Sequence, residues 1–268
     1  MSPVPPGTAN GRALPIPLDR VPPWVLVLVA AGLVVVARLA GSEVYRETLR
    51  FLAAGVSTTL FLTVASFAVA LVAGLVAALL RLSRSALLRT VAVLYVEVVR
   101  GVPLLVLLLY IAFVVTPWLA DVTGVRWWRD NVVRAVMGLG IGYGAYLAEV
   151  YRAGIEAIPR GQVEAAFSLG LSRAQTLRHV VLPQALRIVL PPLGNDFVAL
   201  LKDSSLASVI SVTELTYSGN LNVARTFRSF ETYNAVALLY LCMTLAGSAG
   251  VRLLERVTRA PGWGAFTP

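Results

Sequence analysis

Charged residues are scarce in this chain of 268 residues, at 14% of the total. A typical soluble domain has about 25%. Hydrophobic residues make up 57%, and the mean hydropathy is +0.77. Because too few charges remain to cover a surface in water, the composition excludes an ordinary soluble domain.

Cysteine, histidine and lysine occur once each, as Cys242, His179 and Lys202. A single cysteine excludes a disulfide within the chain and a cysteine metal cluster. A nucleotide-binding loop of the Gly-Lys-Ser/Thr type is also excluded, because the one lysine is followed by aspartate rather than serine or threonine. An enzyme embedded in the membrane would need a nucleophile with a base, or a metal set, within its spans. Because one histidine and one cysteine do not supply such a set, we expect no catalytic residue and no metal ligand in this chain.

The basic residues are almost all arginine, 22 of the 23, and the net charge is +9. A basic balance of this size suits a nucleic acid or an anionic membrane. Arginines spread around apolar runs favour membrane lipid as the partner, and no nucleic acid is expected.

Residues 1–23 hold seven of the 15 prolines, which predicts a flexible Pro-rich tail. Apolar runs of a length that suits a spanning helix of about 20 residues follow it. The third run enters near Val91 and is interrupted by Glu97 and Arg100. The six predicted spans are 24–40, 51–80, 101–120, 132–148, 188–212 and 233–251.

The arginines predict the orientation of these spans. With a cytoplasmic N-terminus, the inner segments hold thirteen arginines and the outer segments eight. The fold class is therefore an all-α integral membrane protein of about six transmembrane helices with both termini in the cytoplasm. We predict a tail at 1–23, an additional N-terminal helix and outer loop at 24–50, a main transmembrane domain at 51–256 and a C-terminal tail at 257–268.

The fourth run contains four glycines at alternate positions, Gly138, Gly140, Gly142 and Gly144. A dinucleotide fingerprint would need a third glycine at position 143, where tyrosine stands. At helical spacing the glycines form two G-x-x-x-G pairs instead, which indicates close packing against other helices.

The loop 156–187 is too polar to span and too amphipathic for a plain connector. We expect a short helix from Gln162 to Leu169 that stops at Gly170. A capping box at Ser172 and Gln175 then predicts a second helix that ends before Pro183. Small side chains at 165 and 166 suit the groove of another protein, although a helix pair lying on lipid headgroups fits as well.

A resemblance to a known family favours the first interpretation of the loop, docking on another protein. Glu164-Ala165-Ala166, then Gly170, then Val180-Val181-Leu182-Pro183 resembles the EAA-x3-G-x9-I-x-LP loop of ATP-binding-cassette importer permeases, with Val180 in place of isoleucine. Residues 96–105, 145–162 and 182–208 resemble the polar amino-acid branch of that family, the histidine/glutamine type. The likeness covers about residues 52–255.

The resemblance implies a role for the loop and a set of partners. Glu164, Ala165, Ala166, Gly170, Leu182 and Pro183 would form the coupling region that docks on a cytoplasmic ATPase, with Glu164 as a charge contact and Gly170 as the turn. ATP and Mg would be used by that ATPase, and this chain would hold no cofactor. A second permease subunit, the same or similar, and an extracytoplasmic amino-acid-binding protein complete the expected complex in the bacterial cytoplasmic membrane.

Charges within the spans are the second candidate site, because each costs at least ~2.5–3.5 kcal/mol to insert. Glu97 and Arg100 share a helix face and could neutralise each other. We expect the fifth span to break near the midplane after Pro191-Pro192, as a substrate passage would require. Structural ion pairs between helices are the alternative. The candidate pathway residues are Glu97, Arg100, Asn195, Asp196, Lys202, Asp203 and Ser204.

Two other functions are weighed against an importer subunit. A self-sufficient ion-coupled transporter would need no ATPase, which leaves the coupling loop without a purpose. A membrane-embedded enzyme is disfavoured because the sequence offers only one histidine and one cysteine.

Overall fold

The computed structural model describes residues 41–258, with side chains as far as Leu254. The predicted tail at 1–23, the first predicted span at 24–40 and most of the predicted C-terminal tail lie outside these residues. The chain divides into two units, residues 1–47 and 48–268. The described part of the first unit is 41–47, which includes the beginning of the first helix.

Residues 41–258 contain helices and turns and no strand. In chain order the helices are α1 (Glu43–Arg81), α2 (Ala86–Gly101), α3 (Leu104–Thr123), α4 (Asn131–Glu156), α5 (Arg160–Ser168), α6 (Arg173–Thr176), α7 (Leu182–Asp203), α8 (Leu215–Thr226) and α9 (Ser229–Thr258). A π turn at Ile111–Val115 lies inside α3, and a second at Leu177–Val181 joins α6 to α7.

Three of the described helices, α1, α3 and α9, are long and apolar enough to cross a membrane. They confirm the predicted spans at 51–80, 101–120 and 233–251 as long apolar helices. The predicted span at 132–148 lies on α4, and the one at 188–212 begins on α7 and extends beyond its end; both helices are less apolar. These two helices pack against each other, and α4 also contacts α2 and α3 while α7 contacts α9. Helices surrounded by other helices can carry more small and polar residues than helices that face lipid.

The four glycines of α4 allow α1 and α3 to pack closely against it. A Cβ at Gly138 or Gly142 would lie within 2.6 Å of a leucine side chain of α3. A Cβ at Gly140 or Gly144 would lie within 2.8 Å of a side chain of α1. The packing role predicted for the glycines is confirmed, and each G-x-x-x-G pair admits a different helix.

The third span does not begin near Val91, as the apolar run suggested. α2 ends at Gly101 and α3 begins at Leu104, with Val102 between them in an extended conformation. Pro103 explains the break, because a proline ring disfavours the helical conformation of the residue before it. Glu97 and Arg100 therefore belong to a separate helix rather than to an interrupted span.

The expected break of the fifth span at Pro191-Pro192 is wrong, since α7 is continuous across both prolines. Each proline removes a helical hydrogen bond. Packing of α4 and α9 along α7 holds the helix in place nonetheless. The regular helix ends later, where a 3₁₀ turn runs from Ser204 to Ile210.

A buried carboxylate opens α8 on the other side of that turn. Glu214 accepts hydrogen bonds from the backbone N–H groups of Thr216 and Tyr217, each over 2.8 Å. The hydroxyl of Tyr240 on α9 donates to the same carboxylate over 2.7 Å. The N-terminal cap of α8 thus also joins this helix to α9.

Candidate functional site

The first candidate surface is the short helix α5. Pro159 precedes it, and Leu169 is the C-terminal cap that follows Ser168. Gly170 follows with φ of +80°, a left-handed conformation that favours glycine after a helix. The predicted short helix that stops at Gly170 is confirmed.

The exposed side of α5 differs from the expected one at a single residue. Glu164 and Ala165 are exposed, whereas Ala166 is only 5% exposed because α5 packs on the segment that follows it. Ala166 is therefore not part of a free small-residue surface. Leu169 is 80% exposed, and the Glu164 carboxylate makes no hydrogen bond or ion pair with the described residues. The surface presents an unpaired carboxylate beside small and apolar side chains.

The predicted capping box is present at the next turn. The hydroxyl of Ser172 accepts from the N–H of Gln175 over 3.4 Å, and Oε1 of Gln175 accepts from the N–H of Ser172 over 2.9 Å. These two bonds satisfy backbone donors that no helical carbonyl reaches. The start of the second helix is thus confirmed. His179, farther along this segment, is exposed, as expected for a surface position.

The second helix does not end before Pro183. It continues from α6 through the π turn Leu177–Val181 into α7. A proline in a helix lacks its N–H and crowds the carbonyl four residues back. The π turn ends two residues before Pro183 and widens the helix at that carbonyl. Pro117 follows the π turn of α3 at the same spacing. Leu182 and Pro183 are exposed and lie in one continuous helix with the pathway residues of α7.

An ion-pair cluster that the sequence did not suggest lies where α1 meets α4. Arg81, the last residue of α1, pairs with Glu149 of α4. Arg152 pairs with Glu149 over 2.7 Å and also with Glu156. The i, i+3 and i, i+4 spacing within α4 was readable from the sequence, whereas the contact with Arg81 depends on the packing of two helices.

The second candidate surface is a pocket of about 260 Å³ formed by residues of α3, α4 and α7. Asp196 and Asp203 stand at i and i+7 on α7, which places them on one helix face. The hydroxyl of Tyr143 donates to Oδ2 of Asp203 over 2.7 Å. The lining consists of Leu104, Tyr143, Tyr146, Asp196, Ala199 and Asp203.

Arg100 is adjacent to this pocket. Its Cζ lies 5.4 Å from the ring centroid of Tyr146, within the range of a cation–π contact. Glu97 is exposed and forms no ion pair with Arg100, so the expected mutual neutralisation does not occur. The pocket thus has two carboxylates in its wall and one guanidinium at its edge.

The remaining predicted pathway residues are not in the pocket lining. Asn195 and Lys202 are exposed on α7. Ser204 is buried, and its hydroxyl donates to the carbonyl of Leu201 over 2.7 Å. That bond satisfies the hydroxyl within its own helix, so Ser204 serves the end of α7.

Sequence reasoning missed both tyrosines and Leu104. The spacing of Tyr143 and Tyr146, three residues apart on a glycine-rich helix, was the available signal for a shared polar face. Within residues 41–258 no group of three or more His, Cys, Asp or Glu side chains is placed to hold a metal ion.

The chain is similar to membrane components of transport systems. Residues 70–260 match the family described as the binding-protein-dependent transport system inner membrane component. The chain is 41% identical over 202 residues to the glutamine transport system permease protein GlnP of Escherichia coli (strain K12), covering 75% of this chain and 90% of that protein.

Two solved structures are similar in fold. An amino acid ABC transporter with histidines matches at a TM-score of 0.70 and 38% identity, over 77% of this chain and 94% of that one. The inward-facing MetNI methionine ABC transporter matches at a TM-score of 0.67 and 22% identity, over 82% of this chain and 100% of that one. Together with the helical architecture, they confirm the fold expected from the EAA loop.

Proposed function

Since the chain belongs to the family of binding-protein-dependent transport system inner membrane components, we propose that it is the permease subunit of an ATP-driven importer of a polar amino acid. One observation carries this proposal. An exposed, unpaired Glu164 lies on α5, and the continuous helix that follows α5 ends at an acidic pocket. One helix thus connects the docking surface for an ATPase with the site for a substrate.

The partner at α5 is a cytoplasmic ATPase subunit. The exposed Glu164 can meet a basic group, and the adjacent Ala165 lets a partner approach the helix backbone closely. Leu169 adds an apolar contact. ATP and Mg bind to that ATPase, because this chain has no lysine-containing phosphate loop.

The pocket on α7 is the proposed substrate site within the membrane. The ammonium group of an amino acid pairs with Asp196, whose carboxylate makes no hydrogen bond to a described residue. The substrate carboxylate faces Arg100 at the edge of the pocket. Asp203, held by Tyr143, contributes a second negative charge. Both charges of a zwitterion are matched in this way.

The complex contains two permease subunits, two ATPase subunits and an extracytoplasmic amino-acid-binding protein. Asn195 and Lys202 are exposed on α7, as expected for side chains that face a second permease subunit across the passage. We place the complex in the bacterial cytoplasmic membrane with both termini of this chain in the cytoplasm, because the arginine-rich loops then lie inside.

Transport by purified components tests the proposal. The chain is reconstituted in proteoliposomes with its ATPase, and a radiolabelled polar amino acid is supplied with the binding protein. We expect uptake that requires hydrolysable ATP. Uptake by the chain without the ATPase, driven by an ion gradient, would make it an ion-coupled transporter instead. Absence of uptake under both conditions would overturn the assignment as an amino-acid permease.

A further inference from the structure

Two glutamine side chains connect α5 to the beginning of α7. Nε2 of Gln184 donates to Oε1 of Gln162 over 2.6 Å and to the carbonyl oxygen of Val180 over 2.8 Å. Within residues 41–258, the Gln162–Gln184 bond is the one side-chain hydrogen bond between α5 and another helix. Gln162 lies two residues before Glu164, and Gln184 directly follows Pro183.

The carbonyl of Val180 determines the direction of this bond. A backbone carbonyl can only accept, so the amide nitrogen of Gln184 must face it. The same nitrogen then faces Gln162, which has to present its oxygen. Gln184 is therefore the donor and Gln162 the acceptor.

The position of Gln184 next to Pro183 gives the bond a mechanical consequence. Helices bend most readily at prolines and at π turns, and both occur just before Gln184. By bonding back to Val180 and across to Gln162, Gln184 holds the first turn of α7 against both the π turn and α5. Without these bonds, α5 could tilt about the turn at Gly170 while α7 kept its place.

We propose that Gln162 and Gln184 are a positioning pair that makes α5 and α7 move as one body. Motion that the ATPase imposes on α5 then reaches Asp196 and Asp203 in the pocket. α7 is unbroken over that distance, from Leu182 to Asp203. The inference rests on the proposed function, because it needs an ATPase docked on α5.

The direction of the bond supplies a matched pair of variants. Gln162→Glu keeps an acceptor oxygen facing Gln184, whereas Gln184→Met keeps the length of the side chain and removes its amide, so that Gln162 loses its partner on α7. The measurements are ATP hydrolysis and amino-acid uptake by the reconstituted complex, expressed as uptake per ATP. We expect Gln162→Glu to keep the wild-type ratio. Gln184→Met should lower the ratio about fivefold while hydrolysis continues, the size of one lost hydrogen bond.

Alanine variants at both positions complete a double-mutant cycle. If the two side chains act through each other, Gln162→Ala with Gln184→Ala loses no more of the ratio than either single change. A purely structural role would lower membrane abundance, hydrolysis and uptake together, and would leave uptake per ATP unchanged.

Two results would overturn the positioning pair. One is a wild-type ratio in Gln184→Met and in the alanine variants, and the other is equal loss in Gln162→Glu and Gln184→Met. Either result, obtained with a wild-type complex that transports, refutes this pair and leaves the proposed function standing. A wild-type complex with no ATP-dependent uptake refutes both.

Discussion

The hydroxyl of Tyr143 donates a hydrogen bond to Oδ2 of Asp203 over 2.7 Å and joins α4 to the last turn of α7. The two carboxylates of the pocket therefore differ in their surroundings. Asp203 is held in one orientation by the tyrosine, whereas Asp196 makes no hydrogen bond to a described residue. Asp196 is available to a ligand, and Asp203 provides a fixed charge behind it.

Tyr143→Phe tests this arrangement, because it removes the hydroxyl and keeps the ring. We expect the KM for amino-acid uptake to rise about fivefold, since loss of one hydrogen bond releases Asp203 from its orientation. Tyr95→Phe is the matched control. The Tyr95 hydroxyl donates to the carbonyl of Ile141 over 2.7 Å, outside the pocket lining. A rise in KM in both variants would mean that Tyr143 acts through the stability of α4 alone.

Asp196→Asn and Lys202→Met compare the effect of a residue in the pocket with that of a residue elsewhere on α7. Asp196 lines the pocket, whereas Lys202 is exposed and outside the lining. We expect Asp196→Asn to raise the KM at least tenfold, because a neutral amide cannot balance the ammonium group of the substrate. Lys202→Met should leave the KM within about twofold. The opposite order of effects, measured at equal membrane abundance, would move the substrate site to the face that carries Lys202.

Features that depend on residues close together in the sequence were predictable from it. The end of α5 at Gly170 and the capping box at Ser172 and Gln175 follow from local backbone geometry, which residue type and spacing encode. The continuity of the helix through Pro183 was not predictable in this way. A proline normally ends a helix, and here the π turn before it makes room.

Residue spacing predicted the two carboxylates of the pocket but not the tyrosines beside them. Asp196 and Asp203 were singled out as charges within an apolar run, and their i, i+7 spacing agrees with a shared face. Their neighbours Tyr143 and Tyr146 come from α4, and only the packing of α4 against α7 brings them there. The same packing explains why α7 stays helical at Pro191-Pro192.

Gly74→Ala should destabilise the fold at the contact of α1 with α4. A Cβ at Gly74 would lie 2.8 Å from the Cβ of Leu147 and 2.9 Å from the carbonyl oxygen of Gly144. Backbone atoms cannot yield by a rotamer change, so we expect a loss of about 1–3 kcal/mol. Thermal unfolding of the purified protein in detergent measures it. Gly250→Ala on α9 is the control, because nothing lies within 4 Å of its added Cβ. Equal melting temperatures in the two variants would contradict the tight α1–α4 contact.

Glu164→Lys should uncouple the permease from the proposed ATPase without unfolding the permease. Glu164 is exposed and makes no bond within the described chain, so its reversal costs no internal contact. At a docking surface, the same change replaces an attraction by a repulsion, which costs several kcal/mol. We expect normal membrane insertion and a loss of at least about a hundredfold in ATP-dependent uptake. Arg84→Glu is the control, as it reverses an exposed charge in the α1–α2 loop. Equal losses in both variants would indicate a general effect of charge on the proposed cytoplasmic side, whereas normal uptake by Glu164→Lys would remove α5 as the docking helix.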